Sequence, residues 1–214
     1  MSQEEQQSSQ EDESQGTLSA RVIKGVGWLF TGKAIGRGLK LVKLVVLARL
    51  LDPYDFGLFG IVMLAVATVR TLTKTGFNEA LIQRKGQAED FLDTAWTVQV
   101  LRGLGLAVVL FAVAPGVGLF FGEPRCVPFL RVMAISVLLR EFRNIGVVYF
   151  RKDLEFHKQV AYLNGCEVVS LVVGVVLAYM LRSVWALIWA GLARSASMCA
   201  LSFILHPYRP RFHL

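Results

Sequence analysis

Six apolar stretches alternate with short polar breaks along this chain. They run from about 25 to 51, 56 to 72, 92 to 121, 127 to 149, 159 to 181 and 184 to 205, most of them close to the ~20 residues a helix needs to cross the hydrocarbon of a bilayer. The breaks carry residues that stop helices. Asp52-Pro53 closes the first stretch, because proline disfavours a helical residue before it. Arg70 and Lys74 close the second, Gly122-Glu123-Pro124-Arg125 makes a short turn after the third, and Arg182-Ser183 a tight turn after the fifth. Pro115 lies inside the third stretch and is expected to kink or locally open its helix. The pattern predicts an all-α, polytopic membrane protein with six transmembrane helices.

Composition supports that reading. Of the 214 residues 54% are hydrophobic and the mean hydropathy is +0.51, more apolar than soluble domains usually are. Residues 1–18 differ from the rest. They are polar and acidic at the start, MSQEEQQSSQEDESQG, and such a segment buries too little apolar surface to fold. They are expected to form a disordered cytoplasmic tail ahead of a six-helix lobe over 19–214. The tail lacks the basic start and short apolar region of a signal peptide.

The charges between the stretches predict an orientation. One set of connections holds Arg21, Lys24, Lys74, Arg84, Lys85, Arg151, Lys152, Lys158, Arg209 and Arg211, whereas the opposite set holds only Arg125 and Arg182. By the positive-inside rule the first set is cytoplasmic. Both termini are then cytoplasmic, in a multi-pass membrane protein. The alternation requires the first stretch to cross the membrane instead of lying in its interface.

That first stretch carries Lys33, Arg37, Lys40, Lys43 and Arg49, with no carboxylate between Gly25 and Leu51. A cation at the bilayer centre costs roughly 3 kcal/mol or more unless it meets water, a partner or a ligand. At about 100° per residue, Lys33, Arg37 and Lys40 fall within about 60° of one another, Lys43 near the edge of that sector, and Arg49 on the opposite side. Lys33 and Arg49 can snorkel to opposite interfaces; Lys40, ~22 Å along the helix from Gly25, is harder to place that way. Two readings follow: cations reaching headgroups or partner carboxylates, or a cationic lining of a water-filled path for an anionic ligand. The second makes Lys33, Arg37, Lys40 and Lys43 candidate pathway residues. Gly32 and Gly36 form a small-xxx-small pair that would let another helix approach closely.

Arg140 and Arg143 share a face of the fourth helix and, with Arg70, form a possible secondary basic site, with local pairing and snorkelling as the simpler account. The carboxylates are concentrated in the tail and connections, so no acid–base pair is expected inside the spans. Cys126, Cys166 and Cys199 lack metal-ligand spacing, and His157, His206 and His213 lie in or beside polar segments. There is no phosphate-binding loop and no nucleic-acid motif; the net charge of +7 fits cytoplasmic connections and anionic lipids. Neither catalytic residues, a cofactor nor a metal is expected.

The run Ala48-Arg49-Leu50-Leu51-Asp52-Pro53-Tyr54-Asp55-Phe56-Gly57-Leu58-Phe59-Gly60 resembles the junction of the first two helices in polysaccharide-type lipid-linked oligosaccharide flippases of the multidrug/oligosaccharidyl-lipid/polysaccharide exporter superfamily. Gly25-Val26-Gly27-Trp28, Gly76 to Lys85, Phe121 to Pro124, Phe150 to Phe156, Val184 to Leu187 and Pro207 to Arg211 extend the resemblance in the family's order. It implies one lobe of a two-lobe exporter in a bacterial inner membrane, acting in O-antigen, capsule or exopolysaccharide assembly. It also implies an undecaprenyl-pyrophosphate-linked anionic glycan as ligand, with membrane lipids and a second six-helix lobe or chain as partners. Family members are about twice as long, so the expectation is a half-transporter or a truncated chain. The alternatives are a non-transporting membrane scaffold of a polysaccharide-export complex and a membrane enzyme of glycan assembly. The short external turns leave such an enzyme little room.

Overall fold

A computed structural model describes residues 27–28, 30–72, 89–144 and 156–205. All secondary structure among them is helical. The helices are α1 (30–50), α2 (Pro53–Leu72), α3 (Glu89–Phe120), α4 (Cys126–Glu141), α5 (Phe156–Leu181) and α6 (Trp185–Leu205). The acidic tail, residues 73–88, the connector at 145–155 and the basic segment after 205 lie outside the described residues.

Among the described residues four helices are long and apolar enough to cross a membrane: Pro53–Thr71, Trp96–Phe120, His157–Leu181 and Trp185–Leu205. The other two differ for different reasons. α1 carries five cations over its 21 residues, while α4 has only 16 residues, hence ~24 Å of helix against ~30 Å of hydrocarbon. The expected fourth helix, 127–149, is therefore corrected: it ends at Glu141. The last helical bond is from Phe142 N–H to the Leu138 carbonyl. Asn144 is fully buried and its N–H donates to Ser202 Oγ at 3.0 Å, so a side chain of α6 takes a group that would otherwise continue the helix. Gln99 Nε2 donates to the freed Glu141 carbonyl at 2.7 Å.

Other boundaries follow local chemistry. α2 starts at Pro53, three residues before the expected 56; proline at a first helical position has the right φ and lacks an N–H that would be orphaned there. α3 remains helical through Pro115 to Phe120. It ends where Gly122 adopts φ 67°, with Glu123 N–H bonded to the Gly118 carbonyl at 2.8 Å and Gly122 N–H to that of Leu119 at 3.2 Å. This is a Schellman closure, which uses a left-handed residue. Arg182 takes the comparable conformation, φ 43°, between α5 and α6.

The core is a set of facing stripes. Leu58, Val62 and Val66 of α2, Leu106, Leu110 and Ala114 of α3, and Leu130, Met133 and Val137 of α4 are buried in one cluster with Val184, just ahead of α6, and Ile188 of α6. Spacing of three or four residues places each stripe on a single helix face. α6 packs against both α4 and α5, and small residues at 186, 190 and 191 suit that central position. α1 joins through Leu47 and the adjoining Leu51, buried with Ala178, Ala186 and Leu187. Close to its start, α1 meets α5 at the expected pair of glycines. A Cβ at Gly32 would collide with Val160, and one at Gly36 would lie 2.8 Å from Asn164 Oδ1. Asn164 Nδ2 also donates to the Gly32 carbonyl at 3.2 Å.

The outer faces are apolar. Leu41, Val42, Leu44 and Val45 of α1, Val108 and Leu119 of α3 and Tyr179 and Met180 of α5 are each more than half exposed, an extent of apolar surface that a protein in water seldom presents and that lipid would cover. The three short turns gather at one end: Tyr54 OH donates to Glu123 Oε2 at 2.8 Å, and the Asp55 carboxylate accepts a backbone hydrogen bond from Val184. That clustering is the geometry of consecutive helices running alternately up and down.

A cationic cleft with one buried carboxylate

The basic face of α1 turns towards α5 and α6. Lys33, Arg37 and Lys40 line a cavity of about 550 Å³ with Gln159, Asn164 and Glu167 of α5 and Arg194 of α6. The glycine contacts at 32 and 36 form part of the same wall. A neighbouring cavity of about 470 Å³ is lined by Lys40 and Lys43 of α1, Arg70 of α2, Arg140 and Ser136 of α4, and Arg194 and Ser195 of α6. Lys40 and Arg194 belong to both walls. Two groups separated in the sequence, the α1 stripe and the Arg70–Arg140 site, thus meet around adjoining spaces. Arg143 and Arg49 line neither. Arg143 follows the end of α4, where its carbonyl accepts from Gln99 at 3.4 Å.

At the boundary between the cavities lies a group that periodicity did not disclose. The side chain of Glu167 is only 3% exposed. Its Oε1 is 2.8 Å from Lys43 Nζ and its Oε2 is 2.7 Å from Arg194 Nε. Lys43 also donates to Ser170 Oγ at 3.1 Å, and Ser170 in turn donates to the Ala190 carbonyl at 2.9 Å. One carboxylate therefore joins α1, α5 and α6. The carboxylates are concentrated in the tail and connections, yet Glu167 lies within a span, held there by two cations. It also changes the standing of Lys43, which has a partner carboxylate, while Lys33, Arg37 and Lys40 are exposed along the first cavity.

A signal for this group was present. Glu167 is the sole charged residue between 159 and 181, and Arg194 the sole one between 184 and 205. An isolated charge in an apolar span needs a partner, and two of opposite sign in consecutive antiparallel helices are natural candidates. What periodicity could not provide was the third member, from α1.

Across the two linings, seven cations face the single carboxylate of Glu167. Positive charge gathered on low-dielectric walls focuses the field into the space between them and raises the local concentration of anions. Among the described residues, no group of histidine, cysteine and carboxylate side chains is arranged to hold a metal ion. The chemistry offered is non-covalent, with lysine and arginine donors for a phosphate, carboxylate or sulfate and serine and asparagine for hydroxyl groups.

The chain is similar to several curated proteins. It shares 24% identity over 201 residues with the succinoglycan biosynthesis transport protein ExoT of Rhizobium meliloti (strain 1021), covering 92% of this chain and 40% of that protein. It shares 28% over 183 residues with the lipopolysaccharide biosynthesis protein WzxC of Escherichia coli (strain K12), covering 78% and 36%. With the teichuronic acid biosynthesis protein TuaB of Bacillus subtilis (strain 168) it shares 21% over 201 residues, covering 92% and 40%. The chain thus spans about two fifths of the length of these relatives. No solved structure matches it significantly. A family model described as polysaccharide biosynthesis protein matches residues 46–214. Glu167, Arg194, Arg70 and Arg140 fall inside that match, whereas Lys33 to Lys43 precede it, so the role of the α1 stripe rests on its geometry. With its apolar helices and a family match over most of its length, this multi-pass membrane protein belongs to the polysaccharide biosynthesis protein family.

Proposed function

We propose that this chain forms one lobe of a transporter that passes a lipid-linked, anionic oligosaccharide or polysaccharide precursor across a bacterial inner membrane. The observation that carries the reading is the run of Lys33, Arg37 and Lys40 along a cavity bounded by α5 and α6. An ordinary membrane protein has little reason to keep three cations on one side of a span, given the cost of placing them in lipid. A charged headgroup and its sugars, moving between leaflets, need such a polar lining. A second lobe, from the same or another chain, closes the cleft on its open side, and transport proceeds by rocking of the two lobes around the ligand. All six helices cross the membrane in this reading, with both ends of the lobe cytoplasmic. The names of ExoT, WzxC and TuaB, concerned with succinoglycan, lipopolysaccharide and teichuronic acid, support a glycan cargo.

The test is replacement of the native copy, in its own host, by the triple variant Lys33→Gln/Arg37→Gln/Lys40→Gln. Surface polysaccharide is expected to fall at least roughly ten-fold, the minimum effect of losing interactions worth ~1.4 kcal/mol, while membrane insertion measured by fractionation and protease protection is unchanged. Normal surface polysaccharide from a normally inserted variant would exclude the pathway role and favour a scaffold.

A further inference from the structure

We propose that Glu167 is an internal counter-anion, which occupies the Lys43–Arg194 pair until an anionic ligand displaces it. It thereby sets how strongly charged an entering anion must be. The proposal rests on the anion-path reading of the α1 stripe and adds to it a residue that selects.

The geometry is specific. Each carboxylate oxygen has its own cation, Lys43 Nζ at 2.8 Å and Arg194 Nε at 2.7 Å. The carboxylate is buried, but its partners are not sealed away: their side chains are 20% and 29% exposed. Arg194 lines both cavities, Glu167 only the first and Lys43 only the second. The triad therefore stands where the two spaces adjoin, with Arg194 accessible to a ligand from both and Lys43 from the second. From α1, Lys40 borders both spaces as well.

Charge balance gives the consequence. With Glu167 in place, Lys43 and Arg194 keep half of their positive charge uncompensated, but a weak or singly charged anion would have to compete for them with a carboxylate already at hydrogen-bonding distance. A ligand carrying two or more charges gains from Lys40, Lys43 and Arg194 together and can replace it. Ser170 is positioned to retain Lys43 during such an exchange, since it already accepts a hydrogen bond from Lys43 while anchored to the Ala190 carbonyl. A residue kept only to hold helices together predicts the opposite outcome: its removal would disorder the cationic wall and weaken anion binding.

The experiment uses the purified full chain in nanodiscs, with inorganic pyrophosphate and inorganic phosphate as probes in calorimetric titrations. Glu167→Gln is expected to bind pyrophosphate roughly ten-fold more tightly, and to narrow the preference for pyrophosphate over phosphate, because two adjacent cations lose their internal partner. Glu167→Asp keeps the charge but has one methylene less to span both cations; it is expected to fall between wild type and Glu167→Gln, and decides the matter if the glutamine variant does not fold. In infrared difference spectra, pyrophosphate is expected to shift a carboxylate stretch in the wild type that is missing in Glu167→Gln. Unchanged or weaker binding by the folded glutamine variant, or unchanged or weaker binding by Glu167→Asp when that variant must decide, overturns the counter-anion role. The anion path has a separate failure: wild type and Lys33→Gln/Arg37→Gln/Lys40→Gln binding pyrophosphate equally.

Discussion

Individual residues in this protein act through hydrogen bonds and backbone conformations that can be tested singly. Ser136 and Ser195 face each other at 2.8 Å between α4 and α6. Between helices in a membrane such bonds average only ~0.6 kcal/mol, so Ser136→Ala is expected to lower stability by about that amount in reversible denaturation in mixed micelles; a loss several times larger would mean that the pair also supports the cavity wall. Gly122, at φ 67°, sits where a side chain costs roughly 1–2 kcal/mol. Gly122→Ala is expected to show that loss in the same assay without altering the cationic cleft. The turn at Gly122 was legible in the sequence because Gly-Glu-Pro is a local signal. The role of Ser136 was not, because its partner is 59 positions away.

At the scale of elements, α1 is the helix whose placement matters most. Its apolar residues are largely exposed and four of its five cations, all but Arg49, line the cleft beside α5 and α6, so the two glycine contacts with α5 fix how close it comes. Gly32→Leu and Gly36→Leu are each expected to destabilise by about 1–3 kcal/mol through overpacking, read as a lower thermal midpoint. Gly38 provides the control: nothing lies within 4 Å of a Cβ built there, and Gly38→Leu is expected to be neutral or stabilising by up to about 1 kcal/mol, because leucine is the better helix former. Equal losses at 36 and 38 would remove the α1–α5 approach from the account. α4 teaches a different lesson. Its apolar pattern continued beyond Glu141, but Ser202 took the Asn144 N–H and Gln99 took the Glu141 carbonyl. Tertiary hydrogen bonds ended a helix that hydropathy alone would have prolonged.

At the scale of the whole molecule, the cleft should behave as one electrostatic object. Pyrophosphate affinity is expected to fall as salt is raised from 0.01 to 1 M, since the Debye length shrinks from about 30 to about 3 Å over that range; affinity indifferent to salt would show that the cations do not act together. The up-and-down arrangement makes a second prediction. Reporters placed ahead of α1 and just after α6 are expected in the same compartment, and one in the Gly122–Arg125 turn in the other. A tag ahead of α1 found opposite the one after α6 would show that one helix fails to cross, with α4, only 16 residues long, the first to suspect.

The sequence by itself determined the family and, among the described residues, the number and order of the helices, because apolar runs, proline, glycine and local motifs act over a few residues and leave a one-dimensional trace. It also placed Lys33, Arg37 and Lys40 on one side of α1, since helical geometry fixes that angle. What that side faced was decided only by the tertiary structure. Packing brought Arg70 and Arg140 to the same cleft, left Arg143 outside its lining, and set Glu167 of α5 between Lys43 of α1 and Arg194 of α6. An ion pair between residues 124 positions apart has no periodicity to betray it. It exists because charges buried among apolar helices must find one another, and only the packed arrangement says which ones do.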